Sequence, residues 1–436
     1  MSYDIIIGRD ESDKKKFGDK GLLKIGKGYV KMGQYTSLSN NILLDVARSH
    51  VILVSGKRGS GKSYSLGVIA EEISNMPLEA KKNIAPLIFD TMGIFWTMKY
   101  PNEKEKELLN EWDLKPEKLP IRVFVPYGHF DSYIEKGIPA DASFALKVSE
   151  MTAEDWVTLF GLDIVNPISI LIQRTIHSLK EKKDFYLFDI VEKINSYKEI
   201  SFEEKNAAIG LFEAAATWGI FASEKQQEIL IEEIVKAGET TIIDISVYNS
   251  VGAFNVRALV IGLISKKLFN ERMSARKQEE IDSVRHGIDY LSHNIKRKYP
   301  LVWIFIDEAH EFLPKNSKTP ASDALIQLLR EGRQPGISLV LATQQPGQIH
   351  RDVMTQSDVV ISHRLTSKQD ILSLNEIMQT YILDDIRQYI DELPKLKGSA
   401  IILDDNSERI YSMRLRPRYT WHGGETPTAV KVEKKL

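Results

Sequence analysis

Residues 51–67, VILVSGKRGSGKSYSLG, constrain the fold of this chain more than any other stretch. Four apolar residues run into a turn that matches the pattern G-x-x-x-x-G-K-[ST]. The glycines allow the backbone to bend so that several N–H groups point into one cavity, and the start of the following helix favours an anion there. The pattern therefore predicts a buried strand, a phosphate-binding turn and a helix in succession.

The residues of this turn form the first predicted site. We expect Lys62 to reach the outer phosphates of a nucleotide and Ser63 to place its hydroxyl on Mg²⁺. The alternative is a chance match in a flexible loop, but the motif lies between an apolar run and a helical pattern, as phosphate binding requires. The predicted nucleotide-binding residues are Gly56, Lys57, Arg58, Gly59, Ser60, Gly61, Lys62, Ser63 and the next residue, Tyr64.

A second motif, LVWIFIDEAHEF, indicates hydrolysis of the nucleotide. Apolar residues lead to Asp307 and Glu308, and a carboxylate at the end of a buried strand is suited to hold Mg²⁺ through water. The adjacent carboxylate is suited to polarise a water for attack on the γ-phosphate. Alone, an acidic pair that opens a loop is the simpler interpretation; together with the glycine turn, the pair predicts a hydrolytic site.

A third stretch, LLREGRQPGISLVLATQQP, combines a helix end, a short turn and a strand tipped by polar residues. Gln344 follows the strand, where we expect it to sense the γ-phosphate. Arg330 and Arg333 are candidates to stabilise transition-state charge, in the same chain or from a neighbouring subunit. The alternative is that these arginines solvate a helix end, where the helix dipole favours them.

The order of the patterns predicts an α/β fold with a mostly parallel sheet and flanking helices, the core of a P-loop NTPase. Further buried strands are predicted at 85–90, 121–126, 240–246, 301–307, 337–343, 358–363 and 399–405. We divide the chain into a β-rich N-terminal element with short strands (1–47), the first part of the core (48–139), a helical insertion (140–237), the second part of the core (238–412) and a C-terminal tail (413–436). An irregular arm is the alternative for the N-terminal element.

Composition limits where the protein is expected to act and what it is expected to bind. Hydrophobic residues make up 43% and charged residues 27% of the chain, and cysteine is absent, which excludes a disulfide framework and thiolate metal sites. We expect neither a signal peptide nor a membrane span, and hence a cytoplasmic protein without a membrane partner. The net charge is −2, so any contact with DNA must use a local basic channel and not a global field.

The third stretch, followed by DVVISHRLTSKQD, resembles the corresponding part of the FtsK–HerA superfamily of DNA-pumping ATPases, and the chain is most similar to HerA helicases. The glycine turn and WIFIDEAHEF agree with the motifs of that superfamily. The resemblance covers about 48–130 and 238–410. It implies a RecA-like P-loop NTPase core with a helical insertion and a small β-rich N-terminal element. It also implies a homohexameric ring around double-stranded DNA, with ATP and Mg²⁺ at the subunit interfaces.

By motif position, the resemblance assigns phosphate and Mg²⁺ binding to Lys62 and Ser63. It assigns the metal to Asp307, water activation to Glu308 and the sensor role to Gln344. Arg333 would be the first choice for an arginine finger and Arg330 the second, and Arg364 would also approach the nucleotide. Two departures stand out: Gln345 replaces an arginine found in many members, and the N-terminal element is short for the full barrel of HerA proteins.

The leading hypothesis is an ATP-driven translocase or helicase on double-stranded DNA. We expect it to act with a partner nuclease or other effector enzyme, in DNA end processing or phage defence. A relative that pumps DNA through a membrane is a second hypothesis, which the lack of an apolar span disfavours. A third is an assembly platform whose ATP binding orders an effector with little DNA movement.

Overall fold

The computed structural model describes residues 3–32, 35–182, 184–223, 231–250, 255–286, 299–378 and 386–424. Within these residues, thirteen strands form one continuous sheet. The strands are β1 Ile5–Ile7, β2 Leu22–Met32, β3 Tyr35–Asp45, β4 Val51–Ser55, β5 Ile84–Asp90, β6 Ile121–Pro126, β7 Ala142–Phe144, β8 Thr240–Asp244, β9 Leu301–Ile306, β10 Ile337–Thr343, β11 Val359–His363, β12 Ser399–Asp404 and β13 Arg409–Leu415.

The strand order is β1-β3-β2-β13-β12-β11-β4-β10-β9-β5-β8-β6-β7. From β11 to β7 every neighbouring pair is parallel, whereas β12, β13, β2 and β3 pair antiparallel. Parallel strands direct their carboxyl ends to one edge of the sheet, so the residues after β4, β10 and β9 lie side by side there. The predicted α/β fold with a mostly parallel sheet is confirmed.

Helices cover both faces of the sheet. They are α1 Glu11–Phe17, α2 Lys62–Ser74, α3 Leu78–Lys81, α4 Lys106–Glu111, α5 Phe130–Glu135, α6 Ala153–Leu159, α7 Pro167–Leu179, α8 Leu187–Ser196, α9 Phe202–Ala216, α10 Ile231–Ile234, α11 Val256–His286, α12 Ser322–Glu331, α13 Arg351–Gln356, α14 Lys368–Met378 and α15 Ile386–Glu392. Because side chains of a strand alternate in direction, Leu53 of β4 packs into one apolar cluster, while Ile52 and Val54 pack with α2 into another. Burial on both faces explains the uninterrupted apolar runs that the sequence showed.

The segment 140–237 contains α6 to α10, as its helical spacing predicted, but it also contributes a strand. β7 pairs parallel with β6 and forms the last strand of the sheet, which the analysis of the sequence did not predict. A three-residue strand is too short for its side-chain alternation to be detected. The helices join the main core: Trp156 of α6 is buried, and its ring lies 5.0 Å from the ring of Phe212 in α9.

The N-terminal strands differ from the short runs expected. The runs LLKIG and YVKMG were expected to form two separate short strands that end in glycine. LLKIG and YVKM instead belong to one strand, β2, which pairs with β3 through two register shifts beside Gly26 and Gly28. Glycine inside a strand often marks such irregularities. β2 also pairs with β13, so the N-terminal element extends the main sheet.

The beginning of the predicted tail is also ordered into the core. Residues 413–415 belong to β13, and the chain then crosses α2 as far as residue 424. The rest of the predicted tail, 425–436, lies outside the described residues.

Candidate nucleotide site

The glycine turn connects β4 to α2, as the sequence predicted. Gly61 caps α2 with a φ of 114°, a conformation in which a side chain would be strained. The Ser60 N–H donates to the Lys57 carbonyl at 3.1 Å, and the Ser65 N–H donates to the Gly61 carbonyl at 2.9 Å. The turn is therefore closed by its own backbone and continues directly into the helix, whose first N–H groups face the turn.

Lys62 lies inside this turn and is 5% exposed. Its Nζ donates to the Lys57 carbonyl at 3.4 Å. Burial lowers the pKa of Lys62, and the nearby carboxylates of Glu308 and Asp307 oppose that shift. A buried ammonium beside backbone donors favours an anionic ligand, because an anion compensates the lost hydration.

Ser63 and Asp307 come into contact although β10 lies between their strands. The hydroxyl of Ser63 donates to Oδ2 of Asp307, and the Glu308 N–H donates to Oδ1 at 2.9 Å. Burial raises the pKa of Asp307, and the hydrogen bond from Ser63 opposes the rise. A serine hydroxyl beside a carboxylate supplies hard oxygen ligands, so these two residues fit Mg²⁺, which typically also binds water and phosphate oxygens.

Glu308 begins the turn after β9 in the left-handed region, with φ 50° and ψ 43°. The amide of Gln344, which follows the neighbouring strand β10, donates to Oε1 of Glu308. The other carboxylate oxygen, Oε2, is buried without a hydrogen-bond partner among the described residues, and Nδ1 of His310 lies 3.6 Å from it. Burial raises the pKa of Glu308, and the charge of Asp307 raises it further. A carboxylate with one fixed oxygen, one unpaired oxygen and a raised pKa is suited to accept a proton.

His363 and Ser65 contact each other beside the turn. Neither was among the predicted residues. Nε2 of His363 lies 2.7 Å from Oγ of Ser65, and its Nδ1 lies 3.0 Å from the Ser399 carbonyl. Burial lowers the pKa of His363 to about 4, so the ring is neutral at neutral pH. A histidine at the end of the apolar run DVVISH was the one signal in the sequence.

The three predicted arginines are placed differently from one another. Arg364 follows β11, beside the turn, and its backbone carbonyl accepts from the Lys57 N–H at 3.1 Å. Arg330, at the end of α12, forms an ion pair with Asp352 at 2.6 Å, and Arg333 is exposed. Both precede β10, whose opposite end carries Gln344. The structure does not bring them to the turn of the same chain, and a contribution from a neighbouring subunit stays a prediction.

A cavity of about 650 Å³ adjoins the turn. The turn residues from Gly59 to Ser65 form one wall, and Trp112, residues 414–417 and His422 contribute to the other. Tyr64 lies between the walls: its hydroxyl donates to Glu105 at 2.7 Å and accepts from the Arg418 N–H at 2.7 Å. Burial and the charge of Glu105 raise the pKa of Tyr64 far above its usual range, so the phenol stays neutral.

A glycine turn between a parallel strand and a helix, with an acidic pair and a glutamine on the next two strands, defines an α/β protein of the P-loop ATPase class. The chain belongs to the family described as "Helicase HerA, central domain", whose family model matches residues 30–268. The predicted resemblance to HerA is thereby confirmed. A second family model, "Zonular occludens toxin (Zot)", matches residues 249–376.

Two curated relatives carry the HerA name. The chain is 26% identical over 165 residues to a DNA double-strand break repair helicase HerA of Pyrococcus furiosus, covering 35% of this chain and 29% of the relative. It is 23% identical over 325 residues to a probable DNA double-strand break repair helicase HerA of Methanocaldococcus jannaschii, covering 72% of this chain and 61% of the relative. The chain thus spans less than two thirds of the length of either relative.

Among solved structures, VirB4 of Thermoanaerobacter pseudethanolicus has a similar fold. The TM-score is 0.56 at 10% identity, covering 92% of this chain and 97% of that one. Among the helices of the described residues, none combines the length and apolar character needed to cross a membrane.

Proposed function

We propose that this protein is an ATP-hydrolysing translocase or helicase that acts on double-stranded DNA as a homohexameric ring. The observation that carries the proposal is the meeting of residues from three strand ends: Lys62 and Ser63 after β4, Gln344 after β10, and Asp307 and Glu308 after β9. Membership of the HerA family and the helicase names of its relatives support the action on DNA.

Each residue has a role that its geometry supports. The N–H groups of the turn and the ammonium of Lys62 hold the phosphates, and Ser63 with Asp307 would hold Mg²⁺, which supplies positive charge against the phosphate oxygens when bound. Oε2 of Glu308 accepts the proton of the attacking water, because it is buried and accepts no hydrogen bond from the described residues. Gln344 fixes the other oxygen of Glu308 and so responds to the state of the γ-phosphate.

The proposed ring and its proposed partner would both contact the exposed surface of the chain. Arg333, and secondarily Arg330, would complete the site of a neighbouring subunit, because neither lies at the turn of its own chain. A nuclease or other effector enzyme would act with the ring in the cytoplasm, in DNA end processing or phage defence. The proposed motor then supplies movement and the partner supplies the chemistry on DNA.

The deciding experiment is ATP turnover by the purified protein at low salt, with and without linear double-stranded DNA. The Lys62→Ala variant provides the background rate. Stimulation by DNA supports a motor that engages the duplex directly, and the stimulation should weaken as salt rises, because DNA contacts release counterions. Turnover that ignores DNA at every salt concentration would contradict the motor and favour a platform that regulates an effector.

A further inference from the structure

We propose that His363 is a positioning residue of the nucleotide site. Its neutral ring, protonated at Nδ1, accepts the hydroxyl proton of Ser65 and thereby holds the start of α2 in the orientation that binds phosphate. The inference rests on the proposed function in one respect, since the glycine turn must hold the phosphates of a nucleotide. It adds a residue that lies outside the glycine turn, the acidic pair and the glutamine after β10.

His363 reaches the turn because β11 lies directly beside β4. The two strands are parallel, and their last register pair is Ser362 with Ser55. His363 is the next residue, beside Gly56 at the start of the turn. A Cβ on Gly56 would lie 2.7 Å from Cβ of His363, and a Cβ on Gly61 would lie 3.5 Å from Cε1 of its ring. The imidazole is fully buried and therefore lies against both ends of the turn.

The hydrogen bonds of the ring fix its tautomer. Nδ1 of His363 lies 3.0 Å from the Ser399 carbonyl, which can only accept a hydrogen bond, so Nδ1 carries a proton. Burial lowers the pKa of His363 to about 4, so the ring is neutral at neutral pH and holds a single N–H proton. Nε2 is therefore an acceptor, and it lies 2.7 Å from Oγ of Ser65.

The hydroxyl of Ser65 has two acceptors within reach but only one proton to donate. Its Oγ also lies 3.0 Å from the Gly61 carbonyl, which already accepts from the Ser65 N–H at 2.9 Å. Nε2 of His363 has no other donor in the described part of the chain. A buried acceptor without a donor is costly, so the hydroxyl donates to the ring.

This choice bears on phosphate binding because the Gly61 carbonyl and the Lys62 N–H belong to one peptide unit. In a planar trans peptide the carbonyl and the N–H point in opposite directions. The carbonyl is directed along α2 to the Ser65 N–H, so the Lys62 N–H is directed out of the helix, towards the turn. A serine hydroxyl that bonds the carbonyl four residues earlier often bends a helix. By accepting that hydroxyl, His363 keeps the peptide in its phosphate-binding orientation.

The other side of the ring is anchored in the sheet. Ser399 begins β12, which pairs with β11 on one side and with β13 on the other, so the backbone fixes the carbonyl that Nδ1 contacts. The residue after His363 also holds the turn, since the Arg364 carbonyl accepts from the Lys57 N–H at 3.1 Å. The end of β11 therefore contacts the turn through its backbone and through the imidazole.

The test separates the two ring nitrogens with two amide variants. His363→Asn places an amide near Nδ1 and keeps a donor for the Ser399 carbonyl, whereas His363→Gln places an amide oxygen near Nε2 and keeps an acceptor for Ser65. Ser65→Ala removes the donor, and a double variant combines Ser65→Ala with His363→Asn. Tyr29→Phe is the matched control, because it removes a hydroxyl that lies 2.8 Å from Oγ of Ser399, a bond in which the ring takes no part.

The measurements are calorimetric binding of ADP with Mg²⁺, which avoids turnover during the titration, and thermal unfolding without nucleotide. His363→Asn and Ser65→Ala should each weaken ADP binding about ten-fold or more. His363→Gln should recover most of that affinity although it also unfolds at a lower temperature than the wild-type protein. The double variant should bind no more weakly than the weaker single variant, because both changes remove the same hydrogen bond. Tyr29→Phe should leave the affinity unchanged.

A second measurement reads the tautomer directly and keeps the proposal testable if His363→Asn fails to fold. Magic-angle-spinning NMR of the wild-type protein labelled with ¹⁵N-histidine should show a protonated Nδ1 and an unprotonated Nε2 for His363. The loss of these signals in His363→Gln assigns them. A proton on Nε2 would overturn the inference, because the ring could then not accept from Ser65.

The binding data can overturn the inference as well. Equal affinities of His363→Asn and His363→Gln, additive losses in the double variant, or an equal loss in Tyr29→Phe would reduce His363 to a packing role. Each of these results leaves nucleotide binding by the wild-type protein intact. If the wild-type protein binds neither ADP nor ATP, the proposed function fails and the positioning role fails with it.

Discussion

Oε1 of Glu71 lies 3.0 Å from Nε of Arg418, and both side chains are fully buried. Arg416 contacts the same carboxylate at 2.9 Å and is buried too. Burial would raise the pKa of Glu71, but the two guanidinium groups hold it below its usual value. Helix α2 and the chain after β13 are therefore joined by a buried cluster of charged side chains.

Replacing Glu71 should destabilise the protein strongly. Glu71→Ala leaves the buried guanidinium of Arg418 without its carboxylate, while Arg416 keeps its ion pair with Glu72 at 2.6 Å. Breaking a buried pair from one side costs about 3–5 kcal/mol. We expect a clear fall in the urea midpoint of unfolding. Glu79→Ala, on the exposed side of α3, is the control and should shift the midpoint little. Equal shifts for the two variants would show that the buried cluster contributes nothing specific.

Two glycine-to-alanine changes in helices should have opposite signs. A Cβ on Gly67 would lie 2.5 Å from Cζ of Arg418, whose guanidinium Glu71 holds in place, so Gly67→Ala should destabilise by about 1–3 kcal/mol. Gly210, in α9, has open space around its Cα. Gly210→Ala should stabilise by roughly 0.5–1 kcal/mol, because alanine favours a helix. Denaturant unfolding of both variants checks the pair, and stabilisation by Gly67→Ala would refute the close approach.

Glu308→Gln should separate nucleotide binding from hydrolysis. The amide keeps an oxygen that accepts from Gln344, but it cannot take a proton from water, so turnover should fall by roughly 10²–10⁴-fold. ATP affinity should change little. The measurements are steady-state turnover and calorimetric ATP binding. Glu311→Gln is the matched control, since Glu311 is exposed and pairs with Arg257 at 2.8 Å. Retained turnover in Glu308→Gln would exclude Glu308 as the proton acceptor.

A mixing experiment tests whether Arg333 acts across a subunit boundary. Arg333→Ala should lower turnover by about 10³-fold or more if the arginine is a finger, without changing assembly by size-exclusion chromatography. Lys62→Ala should be inactive as well. Mixed assemblies of the two variants contain interfaces with an intact turn from one chain and an intact arginine from the other, so part of the turnover should return. Absence of recovery in verified mixed assemblies would assign the finger to another residue; Arg330→Ala, treated in the same way, tests the second choice.

Stability should depend on pH through His50. Burial alone would lower the pKa of this histidine, but Asp358, at 2.6 Å, and Asp45 raise it to about 10. A histidine whose folded pKa exceeds its unfolded value, about 6.5, contributes fully below that value. The contribution is lost as the pH rises towards about 10. Urea unfolding between pH 6.5 and 10 should show this decline in the wild-type protein and a flatter profile in His50→Gln. His177→Gln, at an exposed position, should keep the wild-type slope.

The sequence alone was sufficient for the features that short stretches encode. The glycine turn, the strand before it and the helix after it follow from residues 51–74, because glycine spacing and apolar runs act locally. The same holds for β9 with Asp307 and Glu308 and for β10 with Gln344. That the ends of β4, β9 and β10 lie close together was predictable too, because the carboxyl ends of parallel strands lie at one edge of the sheet. The short strand β7 and the union of two predicted strands in β2 were missed, because a few residues carry too weak a pattern.

Only the tertiary structure decided which distant residues act together. Glu71 and Arg418 are 347 positions apart, and no local period relates a glutamate inside a helix to arginines after the last strand. The cavity walls combine Tyr64 of α2, Trp112 of the loop after α4 and His422 of the chain that follows β13, three segments far apart in the sequence. The structure likewise put Arg330 and Arg333 at the far end of β10 from the turn. Local composition determines local conformation, whereas a site built from three distant segments exists only when the sheet order and the buried charges bring those segments together.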